Sequence, residues 1–232
     1  MNKQQRQKCV AVAKNVLAHL KLLDITPGTY CEGRMPGDEN ESYNGDDNAS
    51  KHIDGMSQNC RVCAVGACFL SYVRVYNKVQ LSEFIGGRTG IAAGDSFSMD
   101  YSEMANILTN VFTKPQLEMI EAAFENGAVN DDCIANKEDD YAYEDDPFLY
   151  DHDEEESVTR EEMTAAEQFG EKYDNPNDRL KAIMKNIVAN DGEFIPDPKV
   201  RKLIAKKREA GEEYTAAKYK IDDLREILEA VS

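Results

Sequence analysis

Apolar residues recur at the spacing of an α-helix along most of this 232-residue chain, and that period constrains its fold more than any other feature. Val12, Val16, Leu20 and Leu23, flanked by Cys9, Ala13 and Leu17, make a wide stripe that predicts a helix over 3–23, ended by Thr26, Pro27 and Gly28. A second helix is expected over 60–76. Val62, Val65, Phe69, Tyr72, Val73 and Tyr76 share one face there, and Cys63, Ala67 and Leu70 line the next. Apolar side chains cover more than half of its girth, as befits a central, enclosed helix. Cap chemistry marks others: Asp100 with Glu103, Thr113 with Pro115 and Gln116, and Thr159 with Glu162 each read as a helix opening. Further helices are predicted over 178–190, 197–210 and 214–231. Residues 28–59 read as a long loop and 86–94 as a glycine-rich one, and only Phe194-Ile195 hints at a strand. The expectation is an all-α fold: an irregular domain of about seven to eight helices with a long acidic loop.

Charge divides the chain. Its 44 acids and 27 bases give −17, yet residues 128–158 alone hold thirteen acids and one base, Lys137. Outside that tract the chain is near balance, +4 over 1–24 and −2 over 159–232. Such a tract cannot contribute to a core, so the expected organisation is a helical core over 1–127, an acidic loop over 128–158, and a helical segment over 159–232 packing on the core. The 41% apolar content suits a globular body. No apolar run approaches the roughly 20 residues of a membrane span, and the N-terminus lacks a signal-peptide pattern, so a cytoplasmic protein with no membrane partner is expected. Direct nucleic-acid binding, which needs clustered Lys and Arg, is not expected of so acidic a chain.

Two kinds of residue carry candidate chemistry. Cys60-x-x-Cys63, with His52 upstream and Cys31 further back, offers four soft ligands for zinc, the one cofactor this sequence makes conceivable. A single CxxC pair is weak evidence, and free cysteines inside an apolar helix usually act as small hydrophobes. A cysteine at a helix N-terminus also has a lowered pKa, which would make Cys60 or Cys63 a nucleophile with His52 as its base. The loop Gly86-Gly87-Arg88-Thr89-Gly90 can cradle a phosphate but lacks the ending of a P-loop, and a plain connector is the commoner explanation. Asp46-Asp47-Asn48 starts like a calcium loop, but the glycine and glutamate such loops need do not follow.

The second kind is the tract itself. From 138 to 156 there are eleven acids and no Lys or Arg. Glu138, Asp139, Asp140, Glu144, Asp145 and Asp146 alternate with the rings of Tyr141, Tyr143, Phe148 and Tyr150. Charge runs are usually solvated linkers, but plain linkers are poor in aromatics. Rings set in an anionic strip suit a basic protein surface, where charge steers the encounter and the rings supply contact area. One such surface is internal, since Lys199, Arg201, Lys202, Lys206, Lys207 and Arg208 fall within ten residues. The other is the nucleic-acid channel of a separate protein.

The stretch from Asn59 through Cys60, Cys63, Gly66, Ala67 and Cys68 to Val73 resembles the Cys-x-x-Cys-Ala-x-Gly-Ala helix of uncharacterised phage and bacterial proteins. The run from Asp178 to Phe194 resembles a second block in the same proteins. The resemblance implies a phage-type accessory protein acting inside a bacterial host, with no activity to carry over. The leading expectation is an interaction protein that modulates a host nuclease or defence complex by local imitation of DNA. The alternative is a cysteine-centred hydrolase or zinc-stabilised module using Cys60, Cys63 and His52.

Overall fold

The first helix, α1 (Lys3–His19), is set by its apolar stripe: Cys9, Val12, Ala13 and Val16 are fully buried along one side. Asn2 caps it, its side chain accepting from the Gln5 N–H, and a single 3₁₀ turn, Leu20–Leu22, continues it. These elements belong to a computed structural model that describes residues 1–125, 158–199 and Lys202.

The chain then departs from the all-α expectation. Among the described residues there are six short strands: β1 (Asp24–Ile25), β2 (Cys31–Arg34), β3 (Ser42–Asn44), β4 (Cys60–Val62), β5 (Gly90–Ala92) and β6 (Ser96–Met99). They make a four-stranded sheet in the order β1-β4-β2-β6 and a two-stranded sheet of β3 and β5. In the larger sheet β1 runs parallel to β4, while β2 is antiparallel to both β4 and β6. The fold is therefore mixed α/β, and the all-α reading is corrected. The cause is length: strands of two to four residues are too short to show alternation, and 28–59, expected to be loop, holds two of them and the helix α2 (Ile53–Gln58). Gly33 makes the central strand pairing possible. A Cβ there would lie 2.5 Å from the Cys60 Cβ and 2.7 Å from the Asn59 carbonyl oxygen.

The predicted helix over 60–76 loses its first turn to β4. Cys63 becomes the N-cap of α3 (Ala64–Tyr76), whose residues from Ala64 to Val73 are all buried. Asn77, in the left-handed region at φ 52°, ends it. The short helix α4 (Leu81–Phe84) and α5 (Tyr101–Leu108) follow, the latter opened by the expected Asp100–Glu103 capping box. In α6 (Lys114–Glu125) the expected box does not close. The Gln116 amide turns inward and is buried without a hydrogen-bond partner.

Beyond the acidic segment, α7 (Arg160–Gly170) begins on the Thr159–Glu162 box as its sequence dictates. The helix expected over 178–190 starts two residues earlier, as α8 (Pro176–Ala189): Asn175 caps it and Pro176 takes the first position, where a missing N–H costs nothing. Helix α6 packs on both α7 and α8, and α1 packs on both α3 and α8. One core results, running from Cys9 through Phe69 and Ile120 to Ile187 and Phe194.

The chain divides into two compact units, Met1–Pro196 and Asp197–Ser232. Of the second, only the start is described, where the Asp197 side chain accepts from the Lys199 N–H at 2.8 Å. The helices expected over 197–210 and 214–231 fall largely or wholly outside the described residues.

Candidate functional site

The structure brings together three of the four residues of the conceivable zinc set. Cys31 pairs with Val62 and Gly33 with Cys60, so Cys31 and Cys60 project from one face of the sheet, and their thiols share a hydrogen bond. Cys63 follows at the N-terminus of α3 and acts electrostatically on Cys31. His52 is placed elsewhere, with its ring edge-on to Tyr43 at 4.9 Å between centroids. Among the described residues no group of three or more His, Cys, Asp or Glu side chains is arranged to hold a metal ion.

The pairing of a thiol with a helix N-terminus is realised at Cys63, whose sulfur accepts from the Gly66 N–H at 3.4 Å. Its effect is outweighed. Burial pushes the Cys63 thiol up to about 12, against the lowering from the Gly66 and Val65 N–H groups, and Glu125 and Glu121 push it further up. Cys31 is raised as well, by its hydrogen bond to Cys60 and by burial, and Cys9 is pushed by burial to about 12. Cys60 is 3% exposed, its thiol directed at the Ser57 carbonyl at 3.5 Å. The raised pKa values keep Cys63, Cys31 and Cys9 in thiol form, packed as small hydrophobes. In the glycine-rich loop, Arg88 forms an ion pair with Asp95 at 3.6 Å.

A group that sequence reasoning did not single out gathers beside Cys63. Glu118, Glu121 and Glu125 follow at i, i+3 and i+7 on one side of α6. Glu125, 8% exposed, accepts from the Gly28 N–H at 2.7 Å and is held toward its charged form by Arg179, though burial wins and raises its pKa. The Tyr30 hydroxyl hydrogen-bonds Glu121. Burial pushes Glu121 up to about 7; Tyr30 works against the shift, while Glu125 and Glu118 add to it. The Tyr101 ring lies 5.7 Å from that of Tyr30. Its hydroxyl is buried without a hydrogen-bond partner, and its pKa is raised by burial and then by Glu121, Glu118 and Cys63. Chemically, a carboxyl pushed up to about 7 is suited to holding a proton near neutrality. A signal was present in the sequence: acids three and four apart on the helix that carries Leu117, Ile120 and Phe124 border the core. Their partners at 28, 30 and 101 are too distant in the chain to be foreseen.

The expected partner-binding residues, Glu138, Asp139, Asp140, Tyr141, Tyr143, Glu144, Asp145, Asp146, Phe148 and Tyr150, all lie outside the described residues. Among the described residues no helix is long and apolar enough to cross a membrane. Comparison with models of protein families, with curated proteins and with solved structures finds no match to this chain. Its functional reading therefore rests on its own residues.

Proposed function

We propose that this chain is a non-enzymatic interaction protein in which a mixed α/β body carries an acidic-aromatic segment, 138–156, that engages a basic surface on a partner protein. One observation carries the reading: eleven acids and four aromatic rings in nineteen residues without a single Lys or Arg. Charge of that density raises the encounter rate with a basic groove, and the rings then supply desolvated contact area. A groove that ordinarily holds nucleic acid has the complementary charge. The resemblance to phage and bacterial proteins directs the search to a bacterial host's nuclease or defence complex. The cysteine-centred alternative has less behind it, since burial raises the pKa of Cys63, and the hydrogen bond to Cys60 together with burial raises that of Cys31.

The test is affinity capture from bacterial lysate with three forms of the full chain: unaltered, lacking 138–156, and with Tyr141, Tyr143, Phe148 and Tyr150 changed to Ala. The unaltered chain retains a partner that salt elutes. The deletion loses it, and the alanine form binds at least about tenfold more weakly, as expected when several aromatic anchors are removed. A partner held equally by all three forms rejects the proposal.

A further inference from the structure

Two thiols meet across the middle of the larger sheet. Cys31 on β2 stands opposite Val62, and Cys60 on β4 stands opposite Gly33. One step beyond these pairs, at either end, the Arg34 N–H donates to the Asn59 carbonyl at 3.2 Å and the Cys63 N–H to the Tyr30 carbonyl at 3.3 Å. Both pairs are therefore of the non-hydrogen-bonded kind, in which facing side chains stand closest. Gly33 puts no side chain against Cys60, whose Cβ lies 2.5 Å from the place a Gly33 Cβ would take. The neighbour left to Cys60 across the strands is the diagonal one, Cys31, and the two thiols share a hydrogen bond. The Cys60 thiol already donates to the Ser57 carbonyl at 3.5 Å, so Cys31 is the donor between them. We propose that Cys31 and Cys60 form a site of reversible oxidation, where a hydroperoxide joins them in a disulfide that bolts β2 to β4. The inference is independent of the partner-binding reading, for it concerns only the folded body.

Chain spacing would have singled out a different pair, Cys60 and Cys63. Contact between sulfurs, not spacing, decides which thiols can join. The Cys63 sulfur is turned to its own helix, where it accepts from the Gly66 N–H at 3.4 Å. Cys9, on α1, donates to the Val111 carbonyl at 3.0 Å. Cys68 is enclosed within α3. Cys31 and Cys60 instead face each other from two backbone segments already paired, so little distance remains for the sulfurs to close. The bond would also tie off the chain from 31 to 60, which carries β3 and α2.

Cys60 is 3% exposed and Cys31 not at all, so Cys60 is the sulfur an oxidant meets first. Having lost its proton, Cys60 attacks one oxygen of the hydroperoxide. A sulfur–oxygen bond forms, the oxygen–oxygen bond breaks, and the departing alkoxide takes up the proton and leaves as an alcohol. Cys60 is then a sulfenic acid. The Cys31 sulfur attacks it, the sulfur–sulfur bond forms, and the oxygen leaves with the Cys31 proton as water. In sum the two thiols give up two electrons and two protons, and the peroxide is reduced to alcohol and water. Burial disfavours the thiolate and makes the first step slow. The second is favoured by contact, since the resolving thiol is already beside the sulfenic acid. A dithiol returns the two electrons and restores both thiols.

Peptide mapping of the full chain reads the bond directly. The folded protein is held with hydrogen peroxide until oxidation reaches its plateau, then unfolded in iodoacetamide and cut with trypsin without reduction. Cleavage after Lys21, Arg34, Lys51, Arg61 and Arg74 separates Cys31 on 22–34 from Cys60 on 52–61, and both from Cys63 and Cys68 on 62–74. Mass spectrometry finds 22–34 joined to 52–61, two hydrogens lighter than their sum, and dithiothreitol separates them. This joined species exceeds every other cysteine pair by at least about tenfold, as expected of sulfurs already in contact. In Cys31→Ser, Cys60 has no resolving thiol and is trapped as a sulfenic acid by dimedone. Cys31 and Cys60 still open to iodoacetamide at the plateau, or a different pair as the main disulfide, overturn the proposal. Should the variant not fold, the map of the unaltered chain decides alone.

Discussion

Gly66 is the residue on which the head of α3 turns. It occupies the third position of the helix, where alanine ordinarily stabilises by about 0.5–1 kcal/mol. Here a Cβ would stand 1.8 Å from the Tyr30 carbonyl oxygen and 3.0 Å from its carbon, both backbone atoms. The usual sign therefore reverses. Gly66→Ala is expected to lower the unfolding free energy by about 2–3 kcal/mol, the range for overpacking a site that cannot yield, read from the shift in urea midpoint. The sequence placed Gly66 correctly in an apolar helix and said nothing of the chain that presses on it, because contacts between residues 30 and 66 leave no trace in local spacing. Gln116 is similar in kind. Its place three residues after Thr113 spells a capping box, but the interior of the helix bundle claims the side chain instead.

Between elements, Arg179 joins three helices. Set in the first turn of α8 and 4% exposed, it donates from Nε and one terminal nitrogen to the Tyr173 carbonyl at 3.1 and 2.9 Å. Its other terminal nitrogen donates to the Phe124 carbonyl at the end of α6. The carbonyls that end α6 and the turn after α7 are thereby satisfied by one fork of donors. Arg179→Met is expected to cost about 3–5 kcal/mol, since it strands those carbonyls and removes the cation beside Glu125. Without that cation the folded-state pKa of Glu125 rises further, so the loss is larger at pH 8 than at pH 5, and urea unfolding at the two pH values measures the difference. At this scale the sequence was legible wherever caps and long stripes spoke: α1, α5 and α7 begin where their cap residues place them. It was illegible in the sheets. Cys60, Arg61 and Val62 fit a helical stripe as readily as a strand with both ends buried, and only pairing with β1 and β2 decides between them.

For the whole molecule, the charge is separable from the body. Removing 138–156 takes away eleven acids and no Lys or Arg, moving the chain from −17 to −6, while every described buried residue stays in place. The deletion form is expected to unfold at the same temperature as the full chain in 0.5 M salt and slightly higher at low salt, by less than about 1 kcal/mol, as relief of self-repulsion. Circular-dichroism melts at the two ionic strengths check this. The core and its helices were legible from hydrophobic spacing. The carboxylate cluster was not, since it is assembled from the loop before β2, the start of α5 and the far end of α6.

The packing of α1 against α8 bears on how such a chain is made. The first helix offers a complete apolar side, with Cys9, Val12, Ala13 and Val16 fully enclosed in the finished protein. Part of its cover comes from Pro176–Ala189, and Arg6 is pinned by Glu193 at 2.8 Å. During synthesis that side, complete at Val16, waits about 160 residues before α8 begins at Pro176. A nascent chain stalled or cleaved between α1 and α8 therefore displays a sticky helix to the cell, which gives molecular chaperones a hold on this protein.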